Sequence, residues 1–323
     1  MQRKVNASKS AVAAFATAAL FSVPGLAIAT DAGGVCNATG IIIDSHLHVS
    51  SPENWDSSRL KQMMKMPEPP TGEKALVELE KSDVDMAVLV STAYMFPDRA
   101  MSMHENDYVA GLVKAHPDKF LGLCGVQPSQ PWAMEEIDRC INQLGLHGLK
   151  LHLYATPLDL TDEEDAAILA AVFKKAAEVK KGLPVLMDFN WMDDAQTAAL
   201  MVMAMSNPDV NIVMAHGLGH HYKEYVNVAL FRKMMPGGLN NLYADISATL
   251  STYPPDAPAF ADYIWHLRQM GAGHLLFGSD YPVETADSAY GHFLQLGFSP
   301  DEQQQIRGNN AARLYGCTQA AAE

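Results

Sequence analysis

Basic residues are scarce in this sequence. Its 323 residues include 23 Lys and Arg against 37 Asp and Glu, which gives a formal net charge of −14. A protein with this charge repels polyanions at long range, so a broad nucleic-acid or anionic-membrane surface is disfavoured. We therefore expect a small-molecule substrate, with neither nucleic acid nor membrane as a partner.

An apolar run long enough to span a membrane is also missing. Residues 11–23 form an uncharged stretch that follows three basic residues and precedes Pro24. A membrane-spanning helix needs about 20 apolar residues, and Pro24 would break a longer helix. The small residues that follow, up to Ala29, are typical of a signal peptidase site. The sequence therefore predicts a cleavable secretory signal peptide over residues 1–29.

Cysteine is rare as well, with four in the chain. We expect the mature domain, residues 30–323, to be exported and to be periplasmic or secreted. Disulfides are permitted there, and four cysteines allow three pairings without fixing one. Cys36 and Cys317 lie near the two ends of this domain, which a closed barrel would bring together, so a bridge between them is one prediction. Cys124 and Cys140 fall in apolar segments and are interpreted as core thiols.

Short apolar runs alternate with longer amphipathic segments along the rest of the chain. The apolar runs cover residues 40–49, 84–92, 120–127, 147–153, 183–189, 210–217, 242–247 and 274–280. The helix-like segments cover residues 73–81, 106–115, 132–144, 162–181, 195–205, 222–234, 258–270 and 286–296. Successive runs end roughly 25 to 43 residues apart, which is the spacing of βα units.

Eight βα units of this kind predict a single (β/α)8 TIM barrel, with one more C-terminal helix over residues 300–316. A doubly wound open sheet is the competing fold, but the first strand is followed by no Gly-rich phosphate loop. The segments 50–70 and 93–104, after the first and second strands, are too long to be simple connections. Barrel active sites form at this end of the strands, so we expect these loops to cover a substrate pocket.

Two histidines end the first apolar run. Asp44, His46 and His48 alternate along the strand and so share one face. Two imidazoles one residue apart on the same face form a ready chelate for a metal ion.

Several other apolar runs also end in polar or charged residues. These are Lys150, His152, Asp188, His216 and Asp280. A charge at the end of a buried strand is costly unless it is paired, hydrogen-bonded or bound to a metal. Because all strand ends of a barrel meet at one mouth, the sequence predicts a shared site there.

Five motifs carry a resemblance to a known family. They are Asp44-Ser-His-Leu-His48, Gly148-Leu-Lys-Leu-His152, Ala215-His216-Gly217, Phe277-Gly-Ser-Asp-Tyr-Pro282 and Asn310-Ala-Ala-Arg-Leu-Tyr315. With them the chain resembles the amidohydrolase-related branch of metal-dependent (β/α)8-barrel hydrolases and decarboxylases. The resemblance implies that His46, His48 and Asp280 hold a divalent metal, usually zinc, and that His216 is an acid/base or a transition-state stabiliser.

The chain departs from this family at the end of the fifth strand, where similar proteins commonly have a metal-binding histidine and this chain has Asp188. One interpretation adds Asp188 to the three metal ligands, in a site for Zn²⁺ or Mn²⁺. In another, Asp188 pairs with Lys150 or orients His152, and His152 reaches the metal. A third has no metal at all, and the polar ring binds and hydrolyses a lactone.

Three cations are candidates for binding substrate. Lys150 either binds a substrate carboxylate or, as in dinuclear relatives, is carbamylated and bridges two metals. Arg59 and Arg99 lie in the two long loops and are further candidates for binding a carboxylate.

These residues lead to three hypotheses for function. The first is a metal-dependent hydrolase of a lactone, ester or amide in a small carboxylated molecule. One Zn²⁺, or alternatively Mn²⁺, activates water, Asp280 takes its proton and His216 stabilises the oxyanion. The second is a metal-dependent decarboxylase of an aromatic or unsaturated acid, and the third is a non-catalytic periplasmic ligand-binding barrel. The sequence leaves a homodimer open.

Overall fold

The computed structural model describes residues 40–189, 193–235 and 237–316, which belong to one compact unit. Eight parallel strands form one sheet in sequential order. They are β1 (Ile43–Val49), β2 (Met86–Ser91), β3 (Phe120–Val126), β4 (Gly148–His152), β5 (Leu183–Asp188), β6 (Val210–Met214), β7 (Leu242–Asp245) and β8 (Leu275–Leu276). The amide of Ser45 donates to the carbonyl of Phe277 at 2.9 Å, and that of His48 to Tyr281 at 2.9 Å, which joins the last strand region to β1.

Helices follow the strands around this sheet. They are α1 (Arg59–Met64), α2 (Gly72–Glu80), α3 (Arg99–Ala115), α4 (Ala133–Asn142), α5 (Glu163–Val179), α6 (Asp194–Ser206), α7 (Tyr225–Met234), α8 (Phe260–Met270), α9 (Ala286–Leu294), α10 (Pro300–Gln304) and α11 (Asn310–Tyr315). Within the described ranges, none of them is long and apolar enough to cross a membrane. The predicted (β/α)8 barrel is confirmed, and the open doubly wound sheet is wrong.

The apolar core has two parts because the strands are buried on both faces. Inside the barrel, alternate strand residues such as Val88, Leu123 and Val213 pack together. Their neighbours along the strands, such as Leu89 and Ile212, pack outward against the helices. This continuous burial explains why the strands appear in the sequence as unbroken apolar runs.

The two long loops differ from the prediction in different ways. The first carries a short 3-10 turn, Trp55–Ser57, followed by α1. The second is shorter than predicted because α3 already begins at Arg99, where the side chain of Asp98 accepts a hydrogen bond from the amide of Met101. A side-chain oxygen at this position satisfies an amide that the first helical turn leaves without a partner.

A buried carboxylate on α3 connects both loops. Glu105 is 1% exposed and accepts hydrogen bonds from Ser50 Oγ, from the amide and hydroxyl of Ser51, from Asn54 Nδ2 and from Thr92 Oγ1. The donors belong to the segments that follow β1 and β2, and all of them are neutral. Because one buried carboxylate accepts from both segments, Glu105 holds the starts of the two loops together at the mouth of the barrel.

The interpretation of Cys124 and Cys140 as separate core thiols is wrong. They form a disulfide, with their Cα atoms 6.0 Å apart, because α4 packs back against β3. The predicted Cys36 to Cys317 bridge and the predicted signal peptide lie outside the described residues.

Removing this disulfide is expected to destabilise the protein by about 3 kcal/mol, since the bridge closes a loop with a sequence separation of 16. The background for the measurement is a variant with Cys36→Ala and Cys317→Ala, in which Cys124 and Cys140 are the remaining cysteines. Urea unfolding of this variant with and without reductant gives the difference in the free energy of unfolding. Two titratable thiols before reduction would show that the bridge does not form.

Candidate active site

Three side chains from β1 and the segment after β8 point their donor atoms at one another. His46 Nε2 lies 3.1 Å from His48 Nε2 and 3.5 Å from Asp280 Oδ1, and His48 Nε2 lies 3.3 Å from the same oxygen. Asp280 has a left-handed backbone, with φ of 61°, and its amide donates to the carbonyl of His46 at 2.7 Å. Such a backbone is rare outside glycine and persists only where its surroundings impose it. We call these three residues the triad.

The outer nitrogen of His46 is held by a carboxylate from β7. His46 Nδ1 lies 2.7 Å from Asp245 Oδ2, and both side chains are fully buried. This contact places the proton on Nδ1 and leaves the lone pair of Nε2 directed toward His48 and Asp280. A carboxylate behind a histidine is the usual support of a metal-ligating imidazole. The triad therefore fits a divalent cation by its donor types, its convergence and the orientation of His46.

Lys150 from β4 connects the triad to the opposite wall of the barrel. Its Nζ lies 3.1 Å from His46 Nε2 and 4.0 Å from Asp188 Oδ2, and its side chain is fully buried. The same carboxylate oxygen lies 3.3 Å from His152 Nε2 and 3.5 Å from His216 Nε2. Asp188 therefore contacts Lys150 and His152, the two residues that one sequence-based interpretation named, and also His216.

His216 stands on a left-handed turn directly after β6. Four consecutive residues, His216 to Gly219, have φ between 52° and 66°. The hydroxyl of Tyr225 donates to the carbonyl of Gly217 at 2.6 Å, and a Cβ at Gly217 would meet that hydroxyl at 2.4 Å. The turn therefore needs glycine at this position. It directs His216 inward, where its ring stacks on that of His46 at 5.1 Å.

Burial keeps most of the histidines in this site neutral. It lowers the pKa of His48 to about 3 and that of His152 to about 4. The pKa of His46 is also lowered by burial and by the adjacent Lys150, whose own pKa burial lowers. Neutral imidazoles offer a lone pair, which is the form that binds a metal.

The pKa values of His216 and Asp280 shift against the effect of burial. Burial would lower the pKa of His216, but Asp280 and Asp188 outweigh it and raise the pKa to about 9. Burial would raise the pKa of Asp280, but His216, His46 and His48 hold it well below its usual range. At neutral pH the imidazole of His216 carries a second proton, and Asp280 is ionised.

A cavity of about 340 Å³ opens beside these residues. Asp188 and four imidazoles, those of His152, His216, His220 and His221, contribute to its lining. The rings of Tyr154 and Phe189 form apolar parts of its wall. A cavity of this size accommodates a small aromatic molecule.

The two arginines predicted to bind substrate make their described contacts with groups outside the triad. Arg59 Nη1 donates to the carbonyl of Ala155 at 3.1 Å and so connects the first loop to the segment after β4. Arg99 Nη2 lies 2.8 Å from Glu135 Oε1, and its side chain is 46% exposed. The structure brings together the other predicted site residues but not these two.

Sequence reasoning missed Asp245 and Ser247, and it covered Tyr94 only as part of the long loop 93–104. Asp245 ends β7 as the other site residues end their strands, so the rule that selected those residues also applies to it. Ser247 Oγ lies 3.2 Å from His46 Nδ1 and 3.1 Å from His216 Nδ1. Tyr94 is buried, and its hydroxyl lies 3.5 Å from His48 Nδ1. No periodic pattern distinguishes such a serine or tyrosine from an ordinary core residue.

An Asp245→Asn variant is expected to bind the divalent ion about 10 to 100 times more weakly than the wild type. The amide can donate a proton to His46 Nδ1, which favours the tautomer whose Nε2 no longer offers a lone pair to the triad. Metal competition titration measures this change. An Asp262→Asn variant, altered on the outer helix α8, is the matched control. Equal metal affinity in the two variants would contradict the orienting role of Asp245.

Comparisons with known proteins agree with this architecture. The sequence profile of the amidohydrolase family matches residues 43–317. The chain is 26% identical over 278 residues to 2-amino-3-carboxymuconate-6-semialdehyde decarboxylase of Dictyostelium discoideum, which covers 74% of this chain and 75% of that protein. It is 24% identical over 263 residues to gamma-resorcylate decarboxylase of a Rhizobium species, covering 68% of this chain and 78% of that protein.

A solved structure shows the same fold. Dihydroxybenzoic acid decarboxylase from a Polaromonas species, with bound manganese and the inhibitor 2-nitroresorcinol, matches with a TM-score of 0.66. The match covers 87% of this chain and 98% of that one at 14% sequence identity.

Proposed function

Because the chain belongs to the amidohydrolase family, we propose that it is a metal-dependent decarboxylase of a small aromatic or unsaturated carboxylic acid. The observation that carries this proposal is that both sequence relatives described above are decarboxylases of such acids. They favour the decarboxylase hypothesis over the hydrolase hypothesis, which ranked first on sequence alone.

The triad would form the part of the proposed site that binds the substrate carboxylate. His46, His48 and Asp280 would hold one divalent ion, which supplies a positive charge to bind the carboxylate and to stabilise negative charge as the reaction proceeds. Lys150, buried 3.1 Å from His46 Nε2, places an amine close to the same place, and its protonated form would add a second positive charge. Both features favour a substrate that enters as an anion.

His216 is placed to supply the proton that decarboxylation requires. When the bond to the carboxyl carbon breaks, carbon dioxide leaves and its electron pair stays on the substrate carbon. One proton must then bind to that carbon, so the anion and a proton become the product and carbon dioxide. His216 lines the cavity, and its Nε2 lies 3.5 Å from Asp188 and 4.0 Å from Asp280. Two carboxylates favour the imidazolium form, which donates the proton and regains it from solvent.

Product analysis tests the proposal. The full chain loaded with Mn²⁺ or Zn²⁺ is incubated with gamma-resorcylate, salicylate and muconate-type acids, and separately with lactones, esters and amides. We expect carbon dioxide in a 1:1 ratio to the decarboxylated product and, in deuterium oxide, one deuterium at the carbon that lost the carboxylate. Turnover confined to the lactones, esters or amides, without carbon dioxide, would refute decarboxylation.

The metal and the location of the protein complete the proposal. We propose one divalent ion per chain, and elemental analysis distinguishes zinc, which the sequence favoured, from manganese.

Export is supported by the Cys124 to Cys140 disulfide, since such bonds persist mainly in oxidising compartments. Cell fractionation and the mass of the mature chain test for cleavage after Ala29. Recovery of the uncleaved chain from the cytoplasm would refute export.

A further inference from the structure

The cavity contains two imidazoles that the proposed reaction does not use. His220 and His221 both line it, and their ring centroids lie 4.1 Å apart. His152 and His216, by contrast, contact Asp188. Within the described ranges, no hydrogen bond or ion pair engages the ring nitrogens of His220 and His221, so their N–H groups are available to a ligand.

The cavity wall carries little negative charge. The chain as a whole carries a net charge of −14, yet Asp188 is the one carboxylate among the described lining residues. Its Oδ2 already lies within 4.0 Å of Lys150, His152 and His216. An anionic oxygen of a ligand can therefore accept a hydrogen bond from an imidazole N–H on this wall without facing a second carboxylate.

The backbone fixes where the histidine pair stands relative to His216. Both belong to the 3-10 segment Ala215–Glu224 that begins with the left-handed turn. The hydrogen bond from Tyr225 to the carbonyl of Gly217 holds this turn against α7. The proton donor of the reaction and the unused imidazoles therefore lie on one short segment of the chain and line the same cavity.

We propose that His220 and His221 bind a second anionic oxygen group of the substrate, a carboxylate or phenolate distant from the carboxylate that is lost. This inference rests on the proposed function and specifies its substrate class as aromatic acids with two acidic groups. The rings of Tyr154 and Phe189, also on the cavity wall, suit the flat body of such an acid. N–H donors paired with an anionic oxygen form stronger hydrogen bonds than neutral pairs, so the second group increases affinity.

A matched pair of acids tests the proposal. Salicylate and 5-carboxysalicylate differ by one carboxylate on the far side of the ring, and titration calorimetry on the manganese-loaded full chain gives a Kd for each. We expect the dicarboxylate to bind at least about tenfold more tightly to the wild type. A double variant with His220→Gln and His221→Gln is expected to bind the two acids about equally. His116→Gln, altered at the opposite end of the barrel where α3 leads into β3, is expected to keep the preference.

The outcomes separate this proposal from the function on which it rests. Equal affinity of the wild type for both acids, or a preference that survives in the double variant, would overturn the subsite even if carbon dioxide is released. A preference that the double variant loses supports the subsite, and the absence of carbon dioxide in the same samples would then refute only the decarboxylase activity. Unchanged thermal unfolding of the double variant shows that it is folded.

Discussion

A His46→Ala variant is expected to purify without the divalent ion and to lose at least about a thousandfold in kcat/KM. The variant removes the nitrogen that lies 3.1 Å from His48 Nε2 and 3.5 Å from Asp280 Oδ1. It also leaves Asp245 and Lys150 buried without their shared partner. A catalytic metal contributes several kcal/mol, and each 1.36 kcal/mol changes the rate about tenfold.

Elemental analysis and carbon dioxide release measure the two effects separately. The matched control is His152→Ala, which removes an imidazole on the Asp188 side of the site. We expect the control to retain the ion, which would assign His152 to the cavity wall and not to the metal. A His46→Ala protein that retains one ion per chain would show that the triad is not the metal site.

The second large effect is expected for His216→Asn. We predict a fall in kcat of about 10² to 10⁴, the usual range for loss of a general acid, with the metal content unchanged. Asparagine suits this position because it tolerates the left-handed backbone, with φ of 54°, without the strain that most residues would add. The loss can therefore be attributed to the imidazole and not to the turn.

Steady-state kinetics with metal analysis tests this prediction. A fall in kcat with an unchanged KM supports proton donation by His216. Loss of the ion together with activity would make His216 a ligand, whereas an unchanged kcat would exclude it as the proton donor. His216→Gln also removes the acid but places its amide at a different length, so a similar fall in kcat in both variants attributes the loss to the missing acid.

Much of the barrel could be predicted because the apolar pattern of each strand has a local physical cause. Strands buried on both faces must be apolar along their whole length, so eight apolar runs indicate eight parallel strands. The polar residues at the strand ends could be recognised for the same reason. Lys150 and Asp280 interrupt or end apolar runs that contain no other charged residue. These ends converge in the structure because parallel strands of a barrel end at one mouth.

What the sequence did not predict depends on contacts between distant residues. Cys124 and Cys140 pair because α4 folds back onto β3, and Glu105 meets its donors only once both loops reach α3. The last strand was predicted over residues 274–280 but spans Leu275–Leu276. The residues after it bind β1 through backbone hydrogen bonds, and the left-handed Asp280 is incompatible with a regular strand.

The contacts of Glu105 also determine which residues must be exchanged together when segments are swapped between related enzymes. A loop transplanted to change substrate range would bring its own residues at positions 50–54, while α3 of the recipient would still present Glu105. Without Ser51 and Asn54, that carboxylate would remain buried with few donors, and the graft would be destabilised before its new side chains met any substrate. Chimeras of this protein should therefore move residues 50–54, Thr92 and Glu105 together.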